Sequence, residues 1–343
     1  MSSETTPDVL GAPYVRRDIT LPDDAEGPVV ATLVSRRAEH PTDAAVLYVH
    51  GWVDYFFQTH LADFFVEAGI DFYALDLRKY GRSLREHQTP NHCLDMTDYY
   101  PELDEAVRII REEDGHDRLL INGHSTGGLL AALWGHDRRA DGVYDAMILN
   151  SPFFDFPAEG VTKNVVLPAA AALGARRPLA ALNVPANLVY GHSIHKDHHG
   201  EWDYDVAWKP IKPFPLFAGW VRAILAGHKR VHSGLDITAP VLVGCSTASY
   251  KRARWDAAAT TSDSVLRVDH IARWTPAVGR NVSLVRIDKG LHDLVLSPPP
   301  VRAAFFDAMR TWMGAYFPTG STRRGLPARP SAELLQKTAS PPA

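Results

Sequence analysis

Short apolar runs separated by helical patterns restrict the fold of this chain more than any other feature. Ala44-Ala45-Val46-Leu47-Tyr48-Val49 is apolar throughout, as expected for a strand buried on both faces. Asp71–Leu75, Leu119–Asn122, Ala146–Asn150, Val241–Cys245 and Val282–Ile287 supply further strands. Between them lie helical patterns at His60–Ala68, Pro101–Glu113 and Gly128–His136, and Val301–Tyr316 closes the series. Strands that alternate with helices predict a mostly parallel sheet covered on both faces. Ahead of this series, Tyr14–Thr20 and Val29–Ser35 read as two strands separated by a Pro/Asp/Gly-rich turn.

From Phe153 to Gly234 the rhythm breaks. This stretch is rich in Pro, Ala, Trp and His, lacks clear strand runs, and falls between two sheet strands. It reads as an inserted helical cap over residues 153–234, with the core formed by residues 14–152 and 235–317. Residues 1–13 are polar and read as a flexible N-terminus, and residues 318–343 as a disordered tail.

Composition narrows the function classes. The two cysteines, Cys93 and Cys245, are too few for a disulfide framework and lack metal-type spacing, which suits a reducing cytoplasm. A formal net charge of −4 offers no electrostatic footprint for nucleic acid. The N-terminus lacks the basic start and apolar core of a signal peptide. The best apolar run, Val165–Ala175, is short and contains Pro168, so no membrane span is expected and contact with a membrane surface would be transient.

The chemistry centres on Gly123-His124-Ser125-Thr126-Gly127, which fits Gly-x-Ser-x-Gly between a strand and a helix. So sharp a turn holds the serine strained with its hydroxyl exposed, and flanking glycines avoid collisions. The plain alternative is a Gly-rich turn that merely joins strand to helix. A serine nucleophile needs a base. His292, after the last strand and before the last helix, is the candidate among 16 histidines. A carboxylate must orient that imidazole. Asp263 is the leading candidate, with Asp269 and Asp256 as alternatives, and its structural alternative is a helix N-cap. Acyl transfer also needs N–H donors for an oxyanion. The amides of Thr126 and Trp52 are the candidates, with Gly51 letting the loop after His50 turn toward the site. His50, Gly51, Tyr55, Phe56, His124 and Trp202 are candidate pocket residues, although the aromatics of this loop could equally pack beneath the cap.

His50-Gly51, Asp76-Leu77-Arg78-Lys79-Tyr80-Gly81-Arg82-Ser83, Gly123–Gly128 and Gly290-Leu291-His292-Asp293 together resemble the α/β-hydrolases, in the monoglyceride lipase, lysophospholipase and serine aminopeptidase-like branch. The resemblance anchors roughly residues 40–150 and 236–316. It implies that the Asp76–Ser83 turn is structural, that a cap fills the insertion, and that no metal or organic cofactor takes part. One departure concerns the acid, which the family carries a few residues after its strand. Here the segment from Ala248 to Ser262 intervenes before Asp263. A serine at position 125, where epoxide hydrolases and dehalogenases of this fold use aspartate, argues against those reactions.

The expectation is therefore a serine hydrolase of carboxylic esters. By family analogy its substrate carries an apolar acyl chain, as a monoacylglycerol or lysophospholipid does. An amidase or aminopeptidase using the same residues is the alternative, with Glu201, Asp203 or Asp205 as anchor for a free amine. So is a hydrolase of a specialised metabolite. A noncatalytic binding protein is the third reading. The His192–Asp203 stretch is rich in His, Asp and Glu but matches no familiar zinc spacing, so a polar cap hinge or entrance lip is its plainer role.

Overall fold

The computed structural model describes residues 4–319. Among these residues a nine-stranded sheet has the order β1-β2-β3-β5-β4-β6-β7-β8-β9. The strands are β1 (Thr6–Pro7), β2 (Val15–Asp24), β3 (Gly27–Arg36), β4 (Ala44–Val49), β5 (Asp71–Asp76), β6 (Arg118–His124), β7 (Ala146–Asn150), β8 (Val241–Ser246) and β9 (Val282–Ile287). β1 to β3 pair antiparallel, β3 joins β5 antiparallel, and the sheet is parallel from β5 to β9.

The parallel strands show why their sequences are apolar without alternation. In β4, Ala45, Leu47 and Val49 face one hydrophobic cluster, while Ala44, Val46 and Tyr48 face the other. Helices α1 (Thr59–Glu67) and α8 (Pro299–Tyr316) cover the second face through Leu61, Phe65, Phe305 and Met309. Helices α2 (Tyr100–Arg108) and α3 (Thr126–Asp137) cover the first. Each large side chain so buried contributes about 1.5–3 kcal/mol. β9, at the sheet edge, is only partly covered.

Three sequence expectations need adjustment. β2 and β3 are longer than expected, so the turn between them shrinks to Ala25 and Glu26. The helix expected over Pro101–Glu113 is α-helical to Arg108 and then widens into a π turn over Ile109–Glu113. The N-terminal segment, expected to be flexible, is tied down among its described residues. β1 pairs with β2, and Asp8 accepts from Arg82 Nε and Nη2 at 2.7 and 2.8 Å. Long-range charge pairing, which leaves no periodicity in the sequence, supplies the anchor. The expected tail lies outside the described residues beyond Thr319; Pro318 and Thr319 still bond to Arg118 and Ala68.

Between β7 and β8 the chain leaves the sheet and forms a π turn over Thr162–Val166 that runs into α4 (Leu167–Arg176), then α5 (Val189–Ile194) and α6 (Ala218–His232). α6 buries Trp220, Val221 and Ile224 against the first face of the core. α7 (Val268–Trp274) follows β8 and buries Ile271 there.

Burial pushes the Asp8 carboxyl up, but the hydrogen bond and charge of Arg82, with the Leu10 and Val9 amides, outweigh it and leave the group below its ordinary value. A folded-state pKa below the unfolded one gives stability that is present above about pH 4 and lost as pH falls through the folded value. Asp8→Asn should therefore cost about 2 kcal/mol at pH 7, as expected for a charge-assisted bond. The deficit should shrink toward pH 3 in urea unfolding; an equal deficit at both pH values would contradict the assignment.

Candidate functional site

The β6–α3 connection holds Ser125 at φ 53° and ψ −116°, a left-handed conformation that a non-glycine residue adopts only under local constraint. The constraint is visible on both sides. Ser125 N–H donates to the Asn150 carbonyl at 3.0 Å, and the Ser125 carbonyl accepts from Leu129 and Phe153. The flanking glycines are required by close approach: a Cβ on Gly127 would stand 2.2 Å from the His50 carbonyl oxygen, and one on Gly123 2.7 Å from that of Gly127.

His292 lies in the loop after β9, buried at 3% exposure. Its Nε2 is 2.9 Å from Ser125 Oγ, and its Nδ1 is 3.0 Å from Asp263 Oδ2. A carboxylate only accepts, so this pairing places the imidazole proton on Nδ1 and leaves Nε2 to accept from the serine. Asp263 is itself held. Its other oxygen accepts from the Val265 and Leu266 amides at 2.8 and 2.7 Å. The helix N-cap role that was its alternative is not what it performs, since α7 begins at Val268 after Arg267; the oxygen that does not face His292 instead caps the turn at Val265 and Leu266.

The long segment before Asp263 is an excursion pinched at its base. Ser249 and Asp263 form a parallel bridge, and Tyr250 N–H donates to the Asp263 carbonyl. Residues 250–262 loop out between them, so Asp263 stands in space just beyond β8. The alternative acids face elsewhere. Asp256 caps the turn at Ala258 and pairs with Arg252, and Asp269 pairs with Arg267.

The loop after β4 lies against the same turn, with a Cβ on Gly51 placed 3.1 Å from Ser125 Cβ. Thr126, the first residue of α3, has an N–H without an intrahelical acceptor. His50 is no pocket wall: it is fully buried, its Nε2 accepts from the Leu77 amide at 3.1 Å, and its Nδ1 lies 2.8 Å from the Gly51 carbonyl oxygen. Accepting at Nε2 puts the proton on Nδ1, where it bonds to Gly51. Burial keeps this ring easier to deprotonate than usual. Because a trans peptide is planar, fixing the Gly51 carbonyl also fixes the direction of the Trp52 N–H.

The other pocket candidates separate. Phe56 belongs to the core: it is fully buried beside Tyr14, Tyr48 and Phe72, and its amide donates to Asp76. Tyr55 packs beneath the inserted segment, where its hydroxyl accepts from the Asp205 amide and its ring meets Trp208 edge-on. Trp52 is half-buried against Trp220, 5.0 Å between rings. His124 is buried 5.0 Å from the His292 ring, its pKa lowered by burial. Trp202 lines a separate cavity with Leu291, Leu296 and His199, and its indole N–H donates to Leu296.

One bracing residue, Asn150, escaped the sequence reading. Asn150, which ends β7, donates to Asp293 Oδ1 at 2.6 Å and accepts from the Leu294 amide, while its carbonyl receives Ser125 N–H. It ties the serine turn to the histidine loop. Arg82 donates to the Phe56 carbonyl and to Asp76, bracing the loop after β4 as the resemblance implied. The one signal in the sequence was the position of Asn150 at a strand's C-terminal end.

Among the described residues, the acidic and histidine groups close enough to share an ion are Asp54, His124 and Asp293, rather than the histidines near residue 195. Their oxygens already face cationic or amide donors, with Lys209 on Asp54 and Asn150 and Gln58 on Asp293. No described helix is long and apolar enough to cross a membrane.

Residues 40–248 match the serine aminopeptidase S33 hydrolase family. A monoacylglycerol lipase of Mycolicibacterium smegmatis is 28% identical over 200 residues, covering 58% of this chain and 67% of that protein. Among solved structures, the monoacylglycerol lipase of Paleococcus ferrophilus superposes with a TM-score of 0.61 at 17% identity, over 83% of this chain and 99% of its own. A soluble variant of the Saccharomyces cerevisiae monoglyceride lipase gives 0.62 at 14%, over 88% and 96%. A carboxyl esterase from Bacillus coagulans gives 0.63 at 12%, over 88% and 98%. These structures share its fold. The chain therefore belongs to the serine aminopeptidase S33 family of α/β-hydrolases.

Proposed function

We propose that the protein is a serine hydrolase of carboxylic esters, with Ser125, His292 and Asp263 as its catalytic triad. The observation that carries this reading is the run of contacts from Asp263 Oδ2 through the imidazole to Ser125 Oγ, at 3.0 and 2.9 Å, on a strained strand-to-helix turn. Ser125 Oγ attacks the ester carbonyl as its proton passes to His292 Nε2. Asp263 stabilises the resulting imidazolium, and the Trp52 and Thr126 amides receive the oxyanion. The imidazolium then protonates the departing alcohol. Water, deprotonated by the same ring, releases the acid from Ser125.

An apolar acyl chain is the best-supported substrate feature. The half-buried Trp52 packs on the buried Trp220 ring, which stacks on Phe153, so the surroundings of the proposed oxyanion donor are apolar. The monoacylglycerol lipase relative adds support. The inserted segment 153–234 serves as the cap over this surface. The aminopeptidase alternative needs a free carboxylate for the substrate amine. Glu201 instead pairs with Arg302, Asp203 with Lys196 at 2.5 Å, and Asp205 caps Ala207 at 2.7 Å.

Transient contact with a lipid surface finds support in the same segment. Val161, Val165, Val166 and Leu173 are exposed along one helical run. The chain has no Asp or Glu from Gly160 to Lys196, and Arg176 and Arg177 are exposed beside the run.

A fluorophosphonate probe should label one serine, and the label should vanish in Ser125→Ala; persistent labelling there would remove the nucleophile. Asp263→Asn should lower kcat about 10⁴-fold, as loss of the orienting acid does in such triads. Full turnover would mean that another acid serves. Nitrophenyl esters of increasing chain length should be cleaved well above aminoacyl anilides, and the reverse preference would favour the peptidase. In flotation assays the protein should bind phosphatidylglycerol vesicles more than phosphatidylcholine ones, with Val165→Asp/Leu173→Asp losing that binding. Equal flotation of variant and wild type would dismiss the lipid contact.

A further inference from the structure

Lys209 lies between α5 and α6, yet its side chain reaches the loop that follows β4. It is buried to 6% exposure. Its ammonium donates to Asp54 Oδ1 at 2.8 Å and approaches the Val53 carbonyl oxygen at 3.5 Å. The rings of Phe57, Tyr190 and Tyr204 surround it at 5.8, 5.5 and 5.9 Å. Exposed lysines are common; a lysine withdrawn from water onto a buried carboxylate needs tight pairing to persist. Asp54 also accepts from the Tyr55 amide, so the pair grips the backbone of the loop.

The gripped residue is strained. Val53 has φ 50°, and a β-branched side chain in the left-handed region is a true outlier that persists only where its surroundings enforce it. On the other side of Trp52, the Gly51 carbonyl is held by His50. Trp52 thus sits between two peptide groups pinned from different directions. One pin comes from the core, through the β5-side amide of Leu77, and the other from the inserted segment, through Lys209.

We propose that Lys209 is a positioning residue: by holding Val53 and Asp54 it keeps the Trp52 N–H aimed at the substrate carbonyl oxygen, so that the inserted segment completes the oxyanion site. This rests on the reading of Trp52 as an oxyanion donor. A misaimed donor weakens interactions that grow in the transition state more than those already made with the ground-state ester. The deficit should therefore fall on kcat and leave KM nearly unchanged.

The test compares the wild type, Lys209→Met and Lys209→Met/Asp54→Asn on a short nitrophenyl ester, with urea unfolding alongside. Lys209→Met strands a buried carboxylate and should lose stability, whereas the double variant removes both charges and should regain most of it. In both variants kcat should fall roughly 10–100-fold, somewhat less than the loss of an entire oxyanion donor. Their affinity for a trifluoromethyl ketone, which mimics the tetrahedral adduct, should fall by the same factor. If kcat returns with stability in the double variant, Lys209 is only structural and the proposal is overturned. A change confined to KM would overturn it equally. A wild type inert toward esters and unlabelled by fluorophosphonate would defeat the underlying serine hydrolase reading instead, and the Lys209 assignment with it.

Discussion

At Gly127 the first turn of α3 comes so near the end of β4 that a Cβ would stand 2.2 Å from the His50 carbonyl oxygen. This contact brings together two segments far apart in sequence, the serine turn and the loop that begins at His50. The left-handed backbone at Ser125 is possible because both flanks of the turn are packed in this way, with Asn150 receiving the Ser125 amide on the next strand. Sheet order then does the rest. β4 and β7 lie on either side of β6, and β8 and β9 follow beyond β7, so the loops after all five strands open on one edge. Ser125, Asp263 and His292 emerge along that edge.

Around it the chain buries several paired polar groups. Arg82 joins Asp8 and Asp76, Lys209 joins Asp54, and Asn150 joins Asp293. Buried pairs of this sort add little net stability compared with apolar packing of the same volume, but removing one partner is severe. Their common effect here is geometric. Each ends on a loop that leaves the C-terminal edge of the parallel strands, where backbone direction decides which N–H or ring nitrogen faces Ser125. The longest such loop, residues 250–262, is closed by the Ser249–Asp263 bridge. An excursion can therefore be tolerated before Asp263 without moving its carboxylate.

How much of this was legible follows from the range of each interaction. Strands buried on both faces must be continuously apolar, so β4 and β7 could be bounded to the residue. The serine turn announces itself because its steric demands fall on adjacent glycines. Asp263 was legible as the leading one of three candidate aspartates but no more, since the bridge that returns it to β8 pairs residues across the loop and has no local signature. The N-terminal segment was misjudged for the same reason: Asp8 meets Arg82 from far away in the chain. Aromatic residues after His50 could pack inward or line a cavity with equal economy, and the structure divides them, Phe56 going to the core and Trp52 remaining half-exposed. Lys209 and Asn150 left almost no trace in the sequence because their partners are distant and their residue types ordinary.

The proposed mechanism requires Ser125 Oγ to become covalently acylated in the course of turnover. Rapid mixing with a nitrophenyl ester, followed by acid quench and peptide mass mapping, tests it most directly. A burst of nitrophenol near one equivalent per chain is expected, with the acyl mass on the peptide carrying Ser125. Turnover with no acylated peptide under quench conditions that preserve serine esters, or an acyl group carried on a different residue, would contradict it.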